Sequence, residues 1–436
     1  MADTIVALAS GVGRAGIAVI RVSGPGVRFG MEMIAGGMPE PRRAALRRLR
    51  HPATGEILDE AVVIYFAAPA SFTGEDVAEL HVHGGRAIIA GVIDALLGLP
   101  GFRPAERGEY TRRAVGNGRM DLTAAEGIAD IVEAETGGQR RQALYQAGGA
   151  LQRAAAGWRD RLARMLALIE AEIDFPDEED VPALFASVRE RAVALLTEIA
   201  AALAGARSGE RLREGAVMVI AGPPNAGKST LLNALAQRDI AIVSPIAGTT
   251  RDTIEVHLDL GGYPVTLVDT AGLRDTQDVV EAIGVGRARA SLERADFVIW
   301  LEAVDALGEA PATQAPVLRV LAKLDAGEPA TLIPHDLALS AATGEGMGTL
   351  ILHLEKIARD LFAGGEHALV TRARHRVELE AIAEHLRLVC DADEETPVEF
   401  VAEDLRLAVR AIGRLTGQVD IDEIYDVIFR EFCIGK

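Results

Sequence analysis

The stretch Gly222–Thr230 constrains the fold of this chain more than any other part, because it reads Gly-Pro-Pro-Asn-Ala-Gly-Lys-Ser-Thr. An apolar run precedes it at residues 216–221, and a helix-like run follows it at residues 231–236. A glycine-rich loop between a strand and a helix turns backbone N–H groups toward one point, where they bind phosphate. The flanking pattern favours a nucleoside triphosphate site over a simple glycine-rich turn. The residues predicted to contact the nucleotide here are Asn225, Ala226, Gly227, Lys228, Ser229 and Thr230.

Lysine is rare in this chain. Only four of its 45 basic residues are lysines, namely Lys228, Lys323, Lys356 and Lys436. Because arginine serves where charge alone suffices, a lysine in so arginine-rich a chain indicates a need for a compact ammonium group. Lys228 fits this interpretation, since the phosphate loop needs an ammonium group that reaches the β- and γ-phosphates. Lys356 is expected to be an ordinary charge on a helix surface.

Length and composition favour a globular protein of several domains, with 436 residues of which 49% are hydrophobic. No uninterrupted apolar stretch approaches the roughly 18 residues that cross a bilayer, and the first residues lack the basic segment of a secretory signal. We therefore expect a cytoplasmic protein without a membrane partner. Cys390 and Cys433 are too few for a disulfide framework or a cysteine-based zinc site.

The net charge of −19 disfavours a protein that coats nucleic acid. Residues 1–120 are nevertheless slightly basic, with 14 arginines against 12 acidic residues. A nucleic-acid contact would therefore use a local patch or a partner protein. The densest basic cluster consists of Arg42, Arg43, Arg47, Arg48 and Arg50. We expect this cluster to be a solvated surface.

The hydrophobic pattern divides the chain into four segments. Residues 1–118 alternate strand-like runs with glycine and proline turns, which indicates an α+β domain. Residues 119–213 and 367–436 show helical spacing, whereas residues 214–366 alternate strands with helices. The predicted fold class is therefore multi-domain α/β plus α. A discontinuous helical domain, in two parts, is interrupted by an inserted P-loop domain.

Individual elements can also be placed. Strands are predicted at residues 4–8, 16–22, 61–67, 77–82, 265–268 and 317–321. Helices are predicted at residues 87–97, 372–390 and 398–415, and helical breaks at Gly137-Gly138 and Phe175-Pro176.

Oxygen-bearing side chains downstream of the phosphate loop complete a metal site. Thr250 lies in the run Gly-Thr-Thr-Arg-Asp, and Asp269 ends the strand predicted before Thr-Ala-Gly. Together with Ser229 they can hold Mg²⁺ and let the loops respond to the γ-phosphate. We predict Ser229 and Thr250 as direct Mg²⁺ ligands.

The segment Ala322–Asp325 resembles the base-reading element of translation-factor-type GTPases. In that element, Asn-Lys-x-Asp, the aspartate accepts hydrogen bonds from guanine. Ala322 replaces the asparagine that normally braces the site. We therefore predict GTP rather than ATP, with selectivity resting on Asp325 and the backbone of residues 340–342. The residues predicted to contact the base are Lys323, Asp325, Ser340, Ala341 and Ala342.

The residue after Asp269-Thr-Ala-Gly is Leu273, where a Ras-like protein carries a glutamine that orients water. The group that orients the attacking water must therefore come from elsewhere. Glu281 is the candidate, and the alternative is a solvated acid with no role in hydrolysis.

Motifs along almost the whole chain resemble the MnmE (TrmE) family of tRNA modification GTPases. They lie at residues 3–7, 16–24, 72–76, 81–85, 108–114, 117–122 and 432–436, in addition to the GTPase elements. The last of them, Phe-Cys-Ile-Gly-Lys, is the most specific, because a generic GTPase has no reason to end in this way.

The resemblance implies an activity and a set of partners. The enzyme would work on tRNA with MnmG, an FAD-dependent flavoprotein, in a heterotetramer. It would add an aminomethyl or carboxymethylaminomethyl group to C5 of the wobble uridine. The carbon would come from 5,10-methylenetetrahydrofolate, with 5-formyltetrahydrofolate as a bound analogue. The chain would form a homodimer, and residues 1–118 would be its tetrahydrofolate-binding and dimerisation domain.

The resemblance also implies site residues. Arg21, Glu79, Arg119 and Lys436 would contact folate, although the family commonly has lysine where Arg119 stands. K⁺ would be held by Asn225, Ser244, Thr249 and the carbonyl of Ile246, and Glu281 would orient water. Cys433 would be a candidate participant in the modification chemistry. The nucleotide loops would comprise Ser244, Pro245, Ile246, Ala247, Gly248, Thr249, Thr250, Asp269, Thr270, Ala271 and Gly272.

Two alternatives remain open from the sequence. The chain could be a regulatory or ribosome-assembly GTPase whose output is a conformational switch, or a P-loop enzyme that uses ATP. His81 and His83 alternate along one strand and would share a face. Since no third ligand accompanies them, we assign them to packing or hydrogen bonding rather than to a metal.

Overall fold

The computed structural model describes residues 3–11, 13–174, 181–238, 240–242, 255–269, 290–310, 312–327, 334–393, 395–419, 428, 429, 432 and 435. Contacts group the chain into two compact units. The N-terminal unit comprises Met1–Ala129 with Gly413–Lys436, and the central unit comprises Asp130–Ile412. The four domain boundaries stated above stay predictions.

A six-stranded sheet of order β3-β4-β5-β2-β1-β6 forms the N-terminal unit. Its elements are β1 (Thr4–Leu8), β2 (Ala15–Ser23), α1 (Val27–Ala35), β3 (Ala45–Arg50), β4 (Ile57–Phe66), β5 (Val77–Gly84), α2 (Arg86–Leu97) and β6 (Phe102–Pro104). Alternate strand side chains such as Ile20 and Leu80 are buried in one core with residues of α1 and α2. Because side chains alternate along a strand, Arg21 and Glu79 lie on the other face.

The predicted strands at residues 4–8, 16–22, 61–67 and 77–82 are confirmed as β1, β2, β4 and β5, and the helix at 87–97 as α2. The sequence analysis missed β3, which is rich in arginine. Leu49 is its fully buried side chain, whereas Arg48 and Arg50 are exposed. Charged side chains on an edge strand prevent it from pairing with other chains. The same charged residues interrupt the apolar pattern by which strands are predicted from sequence.

Two helices and the C-terminal segment complete the N-terminal unit. They are α3 (Glu109–Gly116) and the part of α4 (Leu122–Glu133) up to Ala129. Leu122 and Ala125 of α4 are buried together with Ile428, Phe429 and Phe432. These apolar contacts bring the last residues of the chain back to its first domain.

The central unit contains a second six-stranded sheet, of order β12-β11-β10-β7-β9-β8. Its elements are β7 (Ala216–Ala221), α9 (Lys228–Ala236), β8 (Glu255–Leu260), β9 (Tyr263–Asp269), β10 (Phe297–Ala303), β11 (Val317–Ala322), β12 (Leu337–Ala338) and α10 (Met347–Leu361). β8 pairs antiparallel with β9, and the other pairs are parallel. The carboxyl ends of the parallel strands therefore meet at one edge, where ligands bind in such sheets.

The remaining helices flank this sheet in sequence. They are α5 (Gly137–Ala147), α6 (Ala150–Asp174), α7 (Val181–Ala204), α8 (Ala206–Glu214), α11 (Ala373–Asp391) and α12 (Val398–Thr416). The helices predicted at residues 372–390 and 398–415 are confirmed as α11 and α12. The predicted break at Gly137-Gly138 is where α5 begins, and α6 ends at Asp174, just before Phe175-Pro176.

Among the described residues, one helical stretch, Phe185–Glu214, is long and apolar enough to span a membrane by length and composition. Four of its residues recur at helical spacing and are buried, namely Val188, Ala192, Leu195 and Ile199. Its α7 part packs against α6 and α11. This packing buries 28% of the apolar window.

Helix α5 contacts the segment before β7, the segment after α10 and the turn before β9. The Gln142 side-chain amide donates to the carbonyls of Gly209 (2.9 Å) and Gly365 (2.8 Å). The Gly138 N–H donates to the carbonyl of Gly262, in the turn before β9, at 2.7 Å. The chain before β7 and the chain after α10 thus lie close together, which is compatible with the predicted insertion.

Candidate functional sites

The phosphate loop joins β7 to α9, and three residues with positive φ shape it. The φ angles are 156° at Gly222, 66° at Asn225 and 96° at Gly227. A Cβ atom on Gly222 would collide with the backbone carbonyl of Leu301 in β10. Glycine is therefore required there both by conformation and by the closeness of the neighbouring strand. The loop ends at Lys228, where α9 begins.

The Lys228 side chain is buried inside this loop, with the residue only 7% exposed. Its ammonium group donates to the carbonyls of Gly222 at 2.8 Å and Pro223 at 2.9 Å. A buried ammonium group needs such partners to offset the cost of leaving water. Its position within the loop matches that of a lysine that binds phosphate oxygens.

The hydroxyl of Ser229 lies against a carboxylate at the end of β9. Ser229 Oγ donates to Asp269 Oδ2 at 2.7 Å, and Asp269 is 1% exposed. A hydroxyl and a buried carboxylate are the hard oxygen donors that Mg²⁺ prefers. The pair therefore fits a Mg²⁺ site beside the phosphate loop. Within the described part of the chain, no group of three or more His, Cys, Asp or Glu residues forms a metal site.

The predicted base-reading residues come together at the ends of β11 and β12. Ser340 Oγ donates to Asp325 Oδ1 at 2.5 Å and accepts from the Thr343 N–H at 3.1 Å. Lys323 has a φ of 61° and donates to both carboxylate oxygens of Asp305 at 3.0 Å. Ala341 and Ala342 follow Ser340 in the same loop. This arrangement holds a carboxylate at the carboxyl edge of the sheet, as a guanine site requires.

A second polar cluster lies in the N-terminal unit, on the sheet face away from α1 and α2. Arg21 on β2 donates from Nε (3.0 Å) and Nη2 (2.8 Å) to Glu79 Oε1 on β5. Its guanidinium carbon lies 5.6 Å from the ring centre of Phe72 and 5.7 Å from that of Tyr110. Arg21 Nη1 also approaches the carbonyl of Gly435 at 3.5 Å. The cluster thus combines a cation, a carboxylate and two aromatic rings with the C-terminal segment.

Arg119, the remaining described member of the predicted folate set, lies beside Gly74. A Cβ atom on Gly74 would lie 3.2 Å from Arg119 Cγ. The side chain of Asn117 donates to the carbonyl of Thr73 at 2.7 Å, which ties this segment to the loop before β5. Arg119 therefore sits next to the loop that contains Phe72.

Comparison with known proteins accounts for both units. The family model described as "GTP-binding protein TrmE N-terminus" matches residues 4–119, and that described as "MnmE helical domain" matches residues 122–433. The tRNA modification GTPase MnmE of Methylorubrum populi is 54% identical over 439 residues, covering 100% of this chain and 98% of that protein. The protein of the same description from Rhodospirillum rubrum is 50% identical over 461 residues, covering 100% and 99%.

The chain belongs to the MnmE family of tRNA modification GTPases.

Membership in the MnmE family makes the chain an enzyme that hydrolyses GTP and takes part in tRNA modification. The predicted fold class is confirmed, since a TrmE N-terminal domain, a helical domain and a P-loop nucleotide domain are all present. The roles of individual site residues stay predictions. Those that lie outside the described residues are Ser244, Pro245, Ile246, Ala247, Gly248, Thr249, Thr250, Thr270, Ala271, Gly272, Glu281, Cys433 and Lys436.

The sequence analysis missed two residues at these sites, Tyr110 and Asp305, and it had assigned His81 to packing or hydrogen bonding. Tyr110 is fully buried and donates its hydroxyl hydrogen to the Arg21 carbonyl at 2.6 Å, and burial raises the pKa of its hydroxyl. Among the described residues the buried Nε2 atom of His81 has no hydrogen-bond partner, and it lies 3.6 Å from Glu79 Oε2. Asp305 pairs with Lys323, and that hydrogen bond lowers the pKa of its carboxyl group.

Proposed function

We propose that this chain acts with the flavoprotein MnmG to modify C5 of the wobble uridine in tRNA. The group added is an aminomethyl or carboxymethylaminomethyl group, and its carbon comes from a tetrahydrofolate one-carbon unit. One observation carries the proposal: Arg21, Glu79 and the backbone of Gly435 lie in one cluster although they come from both ends of the chain. A GTPase that acted only as a switch would not need such a cluster.

The chemistry of this cluster fits a folate. A guanidinium group binds carboxylates, a carboxylate accepts hydrogen bonds from ring N–H groups, and aromatic side chains pack against a planar ring. His81 lies on the same face of β5, two residues after Glu79, with its Nε2 atom 3.6 Å from Glu79 Oε2. Arg21, Glu79, Arg119 and Lys436 are the proposed contacts, and a bound folate would supply the one-carbon unit. Cys433 is the proposed participant of the C-terminal segment in that chemistry.

The central unit supplies GTP hydrolysis. Lys228 would bind and orient the β- and γ-phosphates, and Ser229 and Thr250 would hold Mg²⁺, with Asp269 beside Ser229. Bound Mg²⁺ would neutralise charge on the phosphate oxygens. Glu281 orients the attacking water, because Leu273 stands where a Ras-like glutamine would. Loops that respond to the γ-phosphate then couple hydrolysis to the modification reaction.

We further propose that two chains form a homodimer and that K⁺ assists hydrolysis in place of an arginine finger. Asn225, Ser244, Thr249 and the Ile246 carbonyl are the proposed K⁺ ligands, of which only Asn225 lies among the described residues. Replacing KCl by NaCl at equal ionic strength is expected to slow GTP turnover by about tenfold or more, because the smaller ion does not fit the same oxygens. The check is steady-state phosphate release in each salt. Equal rates would count against these ligands.

Binding of 5-formyltetrahydrofolate to the full chain tests the folate site. Arg21→Ala is expected to raise its Kd about tenfold or more, because a charge-assisted hydrogen bond is lost. The matched control is Arg48→Ala, since Arg48 is also paired across neighbouring strands, with Glu60 at 2.6 Å. Isothermal titration would measure both variants, and GTP hydrolysis should stay unchanged in each.

The outcome of that titration separates this proposal from its alternative. No saturable folate binding by the unaltered chain would favour the regulatory or ribosome-assembly GTPase. Nucleoside analysis of tRNA from cells that lack the protein gives an independent test. Loss of the modified wobble uridine supports the proposal, and intact modification contradicts it.

A further inference from the structure

The base-reading loop of this chain lacks a side chain that usually braces it. Ala322 ends β11, is 4% exposed and pairs with Ala303 of β10. Its methyl group cannot form a hydrogen bond, whereas an asparagine at this position could bridge to a neighbouring loop. Asp325 accepts a hydrogen bond from Ser340 Oγ at 2.5 Å, so it is the side chain of Lys323 that needs another partner.

A tight turn after β10 lies next to this position. The backbone N–H groups of Ala303 and Ala306 each donate to the other residue's carbonyl, at 3.0 and 2.9 Å. The Gly308 N–H donates to the carboxylate of Glu302 at 3.3 Å, and Glu302 is only 7% exposed. These hydrogen bonds fix the conformation of the turn, Ala303–Gly308.

The turn touches the phosphate loop at one end and the base-reading loop at the other. A Cβ atom on Gly308 would lie 3.5 Å from Cβ and Cγ of Pro223. Asp305 accepts hydrogen bonds from Lys323 on both carboxylate oxygens, each at 3.0 Å. The turn therefore connects the two loops between which the nucleotide would lie.

We propose that Asp305 is a positioning residue that compensates for Ala322 by holding Lys323, and with it Asp325, in the geometry that reads guanine. This inference rests on the proposed base site. Lys323 adopts a left-handed conformation with a φ of 61°, which is unfavourable for a residue with a side chain. An ion pair that anchors the end of its side chain stabilises this conformation when nothing from position 322 does.

Exposure to solvent limits how strongly the ion pair between Asp305 and Lys323 can affect GTP binding. The side chain of Asp305 is 61% exposed and that of Lys323 is 31% exposed, so water screens their attraction. Asp305→Ala is therefore expected to raise the Kd for GTP about three- to fivefold rather than to abolish binding. The KM for GTP should rise in parallel with kcat unchanged, because Asp305 would not touch the reacting phosphate.

A double-mutant cycle on the full chain tests the compensation. The Kd values for GTP and GDP would be measured for the unaltered chain, Asp305→Ala, Ala322→Asn and the double variant. In the Ala322→Asn background, Asp305→Ala should change Kd less than about twofold, since the asparagine restores the brace. An equal effect in both backgrounds, or no effect in the unaltered chain, would overturn the proposal.

Two controls keep the cycle interpretable. Asp393→Ala removes another exposed aspartate of the central unit, whose side chain accepts from Glu395 and Thr396 in its own turn, and should leave Kd unchanged. The midpoint temperature of thermal unfolding without nucleotide should be the same for Asp305→Ala and Asp393→Ala. If Asp305 had only a structural role, Asp305→Ala would lower this temperature. Asp325→Asn should weaken GTP and strengthen xanthosine triphosphate binding. If Asp325→Asn does not change the nucleotide preference in this way, the proposed base site is wrong. If it does, but the double-mutant cycle shows no coupling between Asp305 and position 322, only the inference about Asp305 is wrong.

Discussion

Lys228→Ala is expected to lower kcat/KM for GTP by about 10²- to 10³-fold. The ammonium group is buried in the phosphate loop and now donates to the carbonyls of Gly222 and Pro223. With nucleotide bound it would face the β- and γ-phosphates, where charge must be stabilised during phosphoryl transfer. Steady-state GTP hydrolysis and nucleotide titration would measure the loss.

Lysine and arginine substitutions give the matched control. Lys228→Arg is expected to be nearly as inactive as Lys228→Ala, because the planar guanidinium does not fit a loop that encloses a compact ammonium group. Lys356 is exposed on α10, so Lys356→Arg and Lys356→Ala should keep full activity. An active Lys228→Arg enzyme would contradict the assigned role and the interpretation of lysine scarcity.

Glu109→Ala is expected to destabilise the N-terminal unit by about 1–3 kcal/mol, the usual cost of leaving partly buried donors without one of their acceptors. Glu109 is 2% exposed and accepts hydrogen bonds from Arg103 Nη1 at 2.8 Å and Arg113 Nη2 at 2.9 Å. Removing the carboxylate leaves Arg113, with its side chain only 14% exposed, short of one of its acceptors. Urea denaturation of the full chain, followed by a probe in this unit, would measure the change.

The matched control is Glu40→Ala, which removes an exposed ion pair with Arg43. The two side chains are 72% and 75% exposed, so the free energy of unfolding should change by less than about 0.5 kcal/mol. If Glu109→Ala lowered the free energy of unfolding no more than Glu40→Ala does, burial would not strengthen the contacts of Glu109.

The contribution of Glu109 should also depend on pH. Burial alone would raise the pKa of its carboxyl group, but hydrogen bonds from Arg103, the Glu106 N–H and Arg113 outweigh it and hold the pKa below its ordinary value of 4.5. A carboxyl group with a lower pKa in the folded state stabilises the fold fully above its unfolded pKa. That contribution is lost as pH falls through the folded pKa. The difference between Glu109→Ala and the unaltered chain should therefore be full at pH 7 and shrink below pH 4.5.

Elements with a regular apolar pattern were predictable from sequence. The strand at residues 4–8 and the run at residues 216–221 coincide with β1 and β7, because every residue of each is apolar or small and β-compatible. β3 and β6 were not predictable from sequence, because β3 is rich in arginine and β6 has only three residues. Their pairing with β4 and β1 decides that they are strands.

The sequence by itself determined the phosphate loop, because Gly222, Lys228 and Ser229 act within one local turn whose geometry follows from its glycines. Tertiary structure alone decided which distant groups meet. Arg21 reaches Gly435 across 414 positions, and Asp305 reaches Lys323 only because β10 and β11 pair in parallel. Such contacts depend on strand register and chain closure, which long-range packing sets and no local pattern encodes.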